Sequence, residues 1–147
     1  MPALVEATAP HEVAAVRALF SEYARLVDEP CCFGDFEAEL ASLPGPYRLW
    51  LAEDGAGCVA LRMLDAGTAE MKRLYVRSAH RGRGLGRALA ESAIAAARDA
   101  GCARIVLDTL PKMREAQALY FALKFVPIAP YLEKPTPGAL CFELRLS

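Results

Sequence analysis

Apolar residues in the first part of the chain are spaced for one short strand and one amphipathic helix. The segment "ALVEA" predicts a strand near the start. A helix is expected from Pro10, because proline suits the first helical position and apolar residues recur every three or four positions between Val13 and Val27. A shorter second helix is predicted over residues 36–43, and the prolines that follow end it.

Three strands are predicted to follow one another in the middle of the chain. The segments "YRLWLAE" and "GCVALRML" alternate apolar and polar positions, and the Asp54-Gly55 pair between them is favoured in tight hairpin turns. The segment "AEMKRLYV" is the third strand of this run. Strands that follow one another through short turns predict an antiparallel part of a sheet.

The second half of the chain alternates helix and strand instead. One helix is expected to end at Gly101, and its apolar stripe consists of Leu85, Leu89, Ala93, Ala96 and Ala100. The segment "ARIVLDT" predicts a buried strand, Pro111 is expected to open a further helix, and "ALCFELRL" predicts the last strand. The order β-α-α-β-β-β-α-β-α-β-β predicts an α/β (α+β) fold whose sheet is partly antiparallel and partly parallel.

Length and composition limit the classes of protein to consider. With 147 residues, 54% of them hydrophobic, and no Gly/Ser-rich or Pro-rich linker, the chain is expected to form a single domain over residues 1–147. Neither a basic leader nor an apolar stretch of about 18 residues is present, which predicts a soluble, cytoplasmic protein without a membrane partner. The five cysteines form no CxxC pair and the two histidines no HExxH motif, so we expect reduced thiols and no metal.

Positive charge is concentrated in one segment of this nearly neutral chain. The formal net charge is −1, yet the stretch between Glu70 and Glu91 contains no acid and six cations, which leaves −7 on the rest. The cations are Lys72, Arg73, Arg77, Arg81, Arg83 and Arg87. Such a focused patch indicates an anionic ligand.

The glycine-rich part of this segment, "HRGRGLGRALAE", lies between a strand predicted to end near Val76 and a helix predicted to begin near Leu85. The first amides of a helix have no intrahelical partner, the helix dipole is positive there, and glycines let a phosphate approach the backbone. The segment therefore predicts an anion-binding loop. A solvated basic loop with glycine caps is the alternative.

Two other phosphate-binding motifs fit less well. No GxxxxGK motif followed by Ser or Thr is present, which excludes a P-loop. The spacing of Gly82, Gly84 and Gly86 is GxGxG rather than GxGxxG, although Asp108 lies about where a ribose-binding acid is expected. A dinucleotide-binding fold remains the weaker alternative, because three antiparallel-type strands precede the loop.

Arg81, Gly84 and Gly86 match the [Q/R]xxGx[G/A] signature of the Gcn5-related N-acetyltransferases, abbreviated GNAT. The sequence resembles this family in three further segments, in the family's order and at its spacing: "EMKRLYV", "LGRALAESAIAAARDAG" and "AQALYFALKFVPI". The resemblance extends over nearly all of the chain. It implies a splayed mixed sheet flanked by helices and acetyl-CoA as the cosubstrate.

The same resemblance implies where acetyl-CoA binds. Its pyrophosphate is expected on the amides of the glycine loop, and its pantetheine arm is expected to pair with the preceding strand as an added strand. The residues so implied are Leu74, Tyr75, Val76, Arg81, Gly82, Arg83, Gly84, Leu85, Gly86 and Arg87.

Two residues carry the catalytic roles that the resemblance implies. Tyr120 matches the family tyrosine that protonates the departing thiolate, with a packed core tyrosine as the alternative. Glu70 lies six residues before Val76, where the histone-acetylating branch has its general base. Asp108 or a chain of water molecules competes with Glu70 for this role. The sequence departs from the family at Lys124, where a glycine is usual, and at Met113, where an asparagine often contacts the pantetheine arm.

The acceptor of the acetyl group cannot be read from the sequence. Acids near the second helix and the "PYLEKPTPGAL" loop are candidates to surround an acceptor amine, or are simply surface: Asp28, Glu29, Asp35, Glu37 and Glu39. A sensor that binds acetyl-CoA without turnover is a second function class. Nucleic acid is not expected as a partner, because the basic loop lacks stacking aromatics and the pI is about 6.1. The sequence leaves a homodimer open.

Overall fold

A computed structural model describes residues 3–28 and 36–146 of the chain. Over these residues the structure contains the predicted order of seven strands and four helices. The strands are β1 (Leu4–Glu6), β2 (Tyr47–Ala52), β3 (Gly57–Asp65), β4 (Thr68–Val76), β5 (Arg104–Thr109), β6 (Val126–Ile128) and β7 (Leu140–Arg145). The helices are α1 (Pro10–Val27), α2 (Phe36–Ser42), α3 (Leu85–Asp99) and α4 (Arg114–Ala122).

The strands form one sheet in the order β1-β2-β3-β4-β5-β7-β6. Among the strands of residues 3–28 and 36–146, only β4 and β5 are parallel, since α3 connects them as a crossover helix, and the other neighbouring strands are antiparallel. This arrangement confirms the predicted mixed sheet. Within the described residues, β4 and β5 pair only from Thr68–Arg104 to Glu70–Val106, and the two strands then diverge.

Helices cover both faces of the sheet. Apolar residues of α1, such as Val16, Leu19 and Phe20, pack on one face together with α2. The small residues of α3, among them Ala90 and Ala93, allow this helix to lie close to the other face. The sheet is thus held rigid on both sides of the point where β4 and β5 separate.

A bulge interrupts β4 just beyond this point. Ala60 of β3 lies opposite Lys72, but Cys58 lies opposite Tyr75, so β4 has one extra residue here. Arg73 in the bulge has a φ of 58°, which is uncommon for a residue with a side chain. A β-bulge re-aims the strand that contains it, and strained backbone of this kind is typical of functional sites.

The turn before β3 agrees with the expectation from the sequence, and the start of α4 does not. Asp54 and Gly55 both have positive φ, 60° and 65°, as the two central residues of a type I′ hairpin turn require. The expected helix start at Pro111 is wrong, because α4 begins at Arg114. The amide of Met113 donates to Leu110 O at 3.0 Å, so Pro111 and Lys112 form a turn before the helix.

The cysteines that the structure describes are Cys58, Cys102 and Cys141, and all three are buried free thiols. Cys31 and Cys32 lie outside the described residues. Among the helices of residues 3–28 and 36–146, none is long and apolar enough to cross a membrane.

Candidate active site

A cleft opens where β4 and β5 diverge. Its walls come from both strands, from the inner side of α1, from α4 and from the loop before β7. The lining residues are Tyr23, Val27, Met71, Lys72, Arg73, Leu74, Asp108, Thr109, Leu110, Met113, Ala116, Tyr120, Thr136 and Ala139. The divergence of the strands thus creates an opening through which a ligand can reach the middle of the sheet.

Leu74, Tyr75 and Val76 form the far half of β4, beyond the last pair with β5. Their other edge pairs with β3, through Cys58–Tyr75 and Gly57–Val76. The edge that faces the cleft therefore offers backbone donors and acceptors to an added strand. The ring of Tyr75 is buried and lies 5.3 Å from the ring of Tyr23 on α1, which fixes this part of β4.

The glycine loop continues β4 into α3. Gly82 and Gly84 have φ values of 81° and 77°, which glycine adopts without strain, and no atom lies within 4 Å of the position of a Cβ on either residue. The first intrahelical hydrogen bond runs from the Ala88 amide to Gly84 O at 3.0 Å. The amides of Leu85, Gly86 and Arg87 precede it and point out of the helix N-terminus, where an anion is stabilised.

The six cations of this segment do not form one patch. Arg73 is buried and ion-paired with Glu39 of α2 at 2.8 Å, and Arg77 pairs with Glu22 of α1 at 2.8 Å. Lys72 faces the cleft. The exposed cations at the loop are Arg81, Arg83 and Arg87. Arg87 also pairs with Glu91 of α3 at 3.5 Å, so among the described residues Arg81 and Arg83 are the exposed loop cations without an ion pair. Arg81 is oriented by a 3.1 Å bond from Nε to Val76 O.

Tyr120 lies on α4 and lines the cleft. Its ring is buried against Phe125 and Phe142, at centroid distances of 5.8 and 6.1 Å. Burial, with smaller contributions from Tyr23 and Asp108, raises the pKa of the phenol well above its usual range. A phenol in this environment is protonated at neutral pH and is able to donate a hydrogen bond.

The end of α4 fixes Tyr120 from behind. The Phe125 amide donates to Tyr120 O, and the Lys124 amide donates to Phe121 O, both at 3.0 Å, as in a Schellman motif. This motif needs left-handed backbone at residue 124, and Lys124 has a φ of 77°. The structure thus explains why the family usually has glycine where this chain has Lys124.

Glu70 lies on β4 at the last pair with β5, and only 1% of it is exposed. Arg62 Nε lies 2.6 Å from Glu70 Oε1, and the hydroxyl of Tyr131 donates to Glu70 Oε2 at 2.5 Å. Both carboxylate oxygens therefore have a partner. Through Tyr131, Glu70 also attaches the loop before β7 to the sheet.

Asp108 lies on β5 and faces the cleft. Burial, and next the nearby Glu70, raise the pKa of its carboxyl group. The sequence offered Asp108 as a competitor for the role of base and as the ribose-binding acid of the dinucleotide-binding alternative. Lys72 and Arg73 also line this cleft. In the sequence both counted among the six cations of the segment, with no role of their own.

Met113 also reaches the cleft, at the beginning of α4. Its sulfur accepts hydrogen bonds from Thr109 Oγ1 at 3.3 Å and from Tyr23 Oη at 3.7 Å. A thioether is a weak acceptor and has no N–H to offer. Met113 therefore supplies an apolar contact where an asparagine would supply a hydrogen-bond donor.

Three of the acids that are candidates to surround an acceptor, Asp28, Glu37 and Glu39, lie in the described part of the chain. Glu39 is used in the ion pair with Arg73, and Glu37 and Asp28 are exposed. Glu29 and Asp35 lie outside the described residues. In the described part of the chain, no three His, Cys, Asp or Glu side chains form a group that could hold a metal ion.

Comparison with known proteins agrees with this geometry. The profile of the acetyltransferase (GNAT) family matches residues 13–125. An uncharacterized N-acetyltransferase of Schizosaccharomyces pombe is 31% identical, over 94% of this chain and 91% of the relative. The mycothiol acetyltransferase of Beutenbergia cavernae is 36% identical over 63% of this chain, which corresponds to 33% of that protein.

Solved structures show the same fold. The yncA protein of Salmonella typhimurium, solved with its cofactor acetyl-CoA, superposes with a TM-score of 0.75 at 20% identity, over all of this chain and 95% of that one. A GNAT-family acetyltransferase of Staphylococcus aureus gives a TM-score of 0.81 at 18% identity, over the whole of both chains. The resemblance read from the glycine loop is thereby confirmed, and the dinucleotide-binding alternative is wrong. This chain belongs to the GNAT family of acetyltransferases, enzymes that use acetyl-CoA as the acetyl donor.

Proposed function

We propose that this chain acetylates an amine in the cleft between β4 and β5, and that residues 1–147 act as one catalytic domain. Acetyl-CoA supplies an acetyl thioester when it is bound. The observation that carries the proposal is the position of Tyr120 in the same cleft that the unpaired edge of β4 borders. A donor for the thiolate and a binding edge for the extended cosubstrate are thus adjacent.

The residues present fit acetyl-CoA. The edge of Leu74, Tyr75 and Val76 suits an extended arm with amide groups, since strand addition uses backbone groups alone. The amides that precede Ala88 and the exposed Arg81, Arg83 and Arg87 suit a pyrophosphate. We propose these contacts for Gly82, Gly84, Leu85 and Gly86 as well, since their backbone forms the loop.

Two proton transfers accompany the reaction. The amine nitrogen must be neutral to form its bond to the acetyl carbon, and it loses a proton as the carbon–sulfur bond breaks. We propose that Tyr120 donates a proton to the sulfur, since its raised pKa keeps the phenol protonated. A sensor without turnover would not need this phenol in the cleft, so the arrangement favours an enzyme.

The base is proposed to be a carboxylate in the same cleft. Glu70 stays a prediction for this role, but both of its oxygens are already engaged by Arg62 and Tyr131. Asp108 faces the cleft, and its raised pKa makes it a stronger base than an ordinary aspartate. We therefore favour Asp108 as the base, with Glu70 as a positioning residue that holds Tyr131.

The pair Asp108→Asn and Glu70→Gln tests this assignment. If Asp108 is the base, Asp108→Asn lowers kcat by about 10²-fold or more, and the acid limb of the pH profile that depends on a carboxylate disappears. Because the pKa of Asp108 is raised, that limb lies above the usual range for aspartate in the wild type. Glu70→Gln is expected to keep the limb and to change KM more than kcat. The reverse result assigns the base to Glu70.

A further inference from the structure

Two charged side chains face each other across the opening of the cleft. Lys72 on β4 and Asp108 on β5 each lie two residues beyond the last pair of their strands, Glu70–Val106. Residues two apart on a strand share a face, so both lie on the face that carries Glu70. Both line the cleft, together with Tyr120.

The charges around them are paired, but these two are not. Glu70 has Arg62 and Arg73 has Glu39, at 2.6 and 2.8 Å. Within residues 3–28 and 36–146, neither Lys72 nor Asp108 has an oppositely charged group within 4.0 Å. The two side chains are therefore too far apart to pair with each other, and the space between them belongs to the cleft.

Partial burial without an oppositely charged partner is costly for both groups. Burial and then Arg73 lower the pKa of Lys72, while burial and then Glu70 raise the pKa of Asp108. A ligand that brings an ammonium group to Asp108 and an anion to Lys72 would relieve both costs at once. A ligand with only one of these charges would relieve one of them.

We propose that the acceptor is a free amino acid, whose amine is held by Asp108 and whose carboxylate is held by Lys72. This inference rests on the proposed function, because the amine must lie beside the acetyl group in the same cleft. Apolar and aromatic groups line the side of the cleft next to α1 and the start of α4, including Tyr23, Val27 and Met113. We therefore expect an amino acid with an apolar or aromatic side chain.

Matched acceptors test the inference most simply. Phenylalanine and phenylalaninamide differ in the carboxylate charge, and phenethylamine lacks the group entirely. The measurement is kcat/KM from the release of the CoA thiol. We expect kcat/KM for phenylalanine to exceed that for phenylalaninamide by about tenfold or more, because only phenylalanine forms a charge-assisted hydrogen bond with Lys72. The basicity of the amine would by itself favour phenylalaninamide, because its amine is less basic and is more often neutral.

Variants of Lys72 connect this preference to the structure. Lys72→Met and Lys72→Gln are expected to bring the ratio of the two kcat/KM values to about one. Lys134→Met makes the same exchange at an exposed residue outside the cleft lining, and it is expected to keep the wild-type ratio. A wild-type ratio near one, or an unchanged ratio in both Lys72 variants, would overturn the inference.

Binding without turnover separates this inference from the proposed function. Phenylalanine is titrated calorimetrically into the complex of the protein with CoA, with phenylalaninamide as the comparison. Selective binding of phenylalanine without thiol release from any amine supports the acceptor site and contradicts the proposed catalysis. Thiol release with phenethylamine, without binding or turnover of phenylalanine, supports the catalysis and overturns the acceptor site. Absence of both binding and turnover for all three compounds overturns the inference.

Discussion

The two sides of the cleft are built in different ways. The side proposed for acetyl-CoA comes from one continuous stretch, residues 74–87, and it presents mainly backbone groups and glycines with positive φ. The side proposed for the acceptor combines side chains from β4, β5, α1 and α4. Backbone recognition suits a cosubstrate that all members of a family share, whereas side chains at separate positions allow the acceptor to differ between members.

Tyr120 lies where the two sides meet, and its removal is expected to have the largest effect. Tyr120→Phe keeps the ring packed on Phe125 and Phe142 but removes the proton donor. We expect kcat to fall by about 10²-fold or more, while the Kd for acetyl-CoA changes little. Steady-state kinetics with calorimetry checks this. Tyr47→Phe, at a buried tyrosine that does not line the cleft, is the matched control. Near-normal kcat with a lowered Tm would make Tyr120 a packing residue.

A substitution at Gly84 tests the side of the cleft that is proposed to bind acetyl-CoA through backbone groups. Gly84→Val places a β-branched residue at a φ of 77°, which costs about 1–2 kcal/mol and shifts the loop amides. We expect the Kd for acetyl-CoA to rise by about tenfold or more. Gly101 at the other end of α3 has a φ of 83° and the same open space, so Gly101→Val is expected to lose stability without losing affinity. Equal Kd values for the two variants would contradict the proposed site of the pyrophosphate.

Lys124 lies outside both sides of the cleft and tests the stability of the end of α4. Its backbone has the left-handed conformation that the end of α4 requires, with a φ of 77°. We expect Lys124→Gly to raise the free energy of unfolding by about 1 kcal/mol, because glycine adopts this conformation without strain. Urea denaturation measures the change. Lys134 does not have positive φ, so Lys134→Gly is expected to give no gain. A loss of stability in Lys124→Gly would show that the lysine side chain contributes more than the strain costs.

Arg81 is expected to have the smallest effect. Its side chain is exposed at the loop, where water and salt screen its charge. Arg81→Ala is expected to weaken acetyl-CoA binding by less than about tenfold, and more at low than at high ionic strength. Calorimetry at two salt concentrations checks this. A loss that does not depend on salt would mean that the bond from Arg81 to Val76 O, rather than its charge, supports the loop.

The two sides also differ in how well the sequence predicts them. The glycine loop was predicted at its place between β4 and α3, because its signature is local and each glycine has a specific backbone role. The long-range pairs, such as Arg73 with Glu39 across 34 positions, give no signal in the chain. Lys72 therefore read as one of six loop cations, although the divergence of β4 from β5 sets it opposite Asp108. The expected helix start at Pro111 was wrong for a local reason, since the turn from Leu110 to Met113 precedes α4.

Amide hydrogen exchange in the presence of CoA tests the central claim most directly, because it locates the ligand without depending on turnover. The account predicts added protection at residues 74–76 and at the amides from Gly84 to Arg87, which precede the first hydrogen bond of α3. Strand β2, which lies between β1 and β3 away from the cleft, is expected to be unchanged and is the internal control. Binding of CoA with no added protection in these two segments, or with protection confined to β6 and β7, would contradict the account.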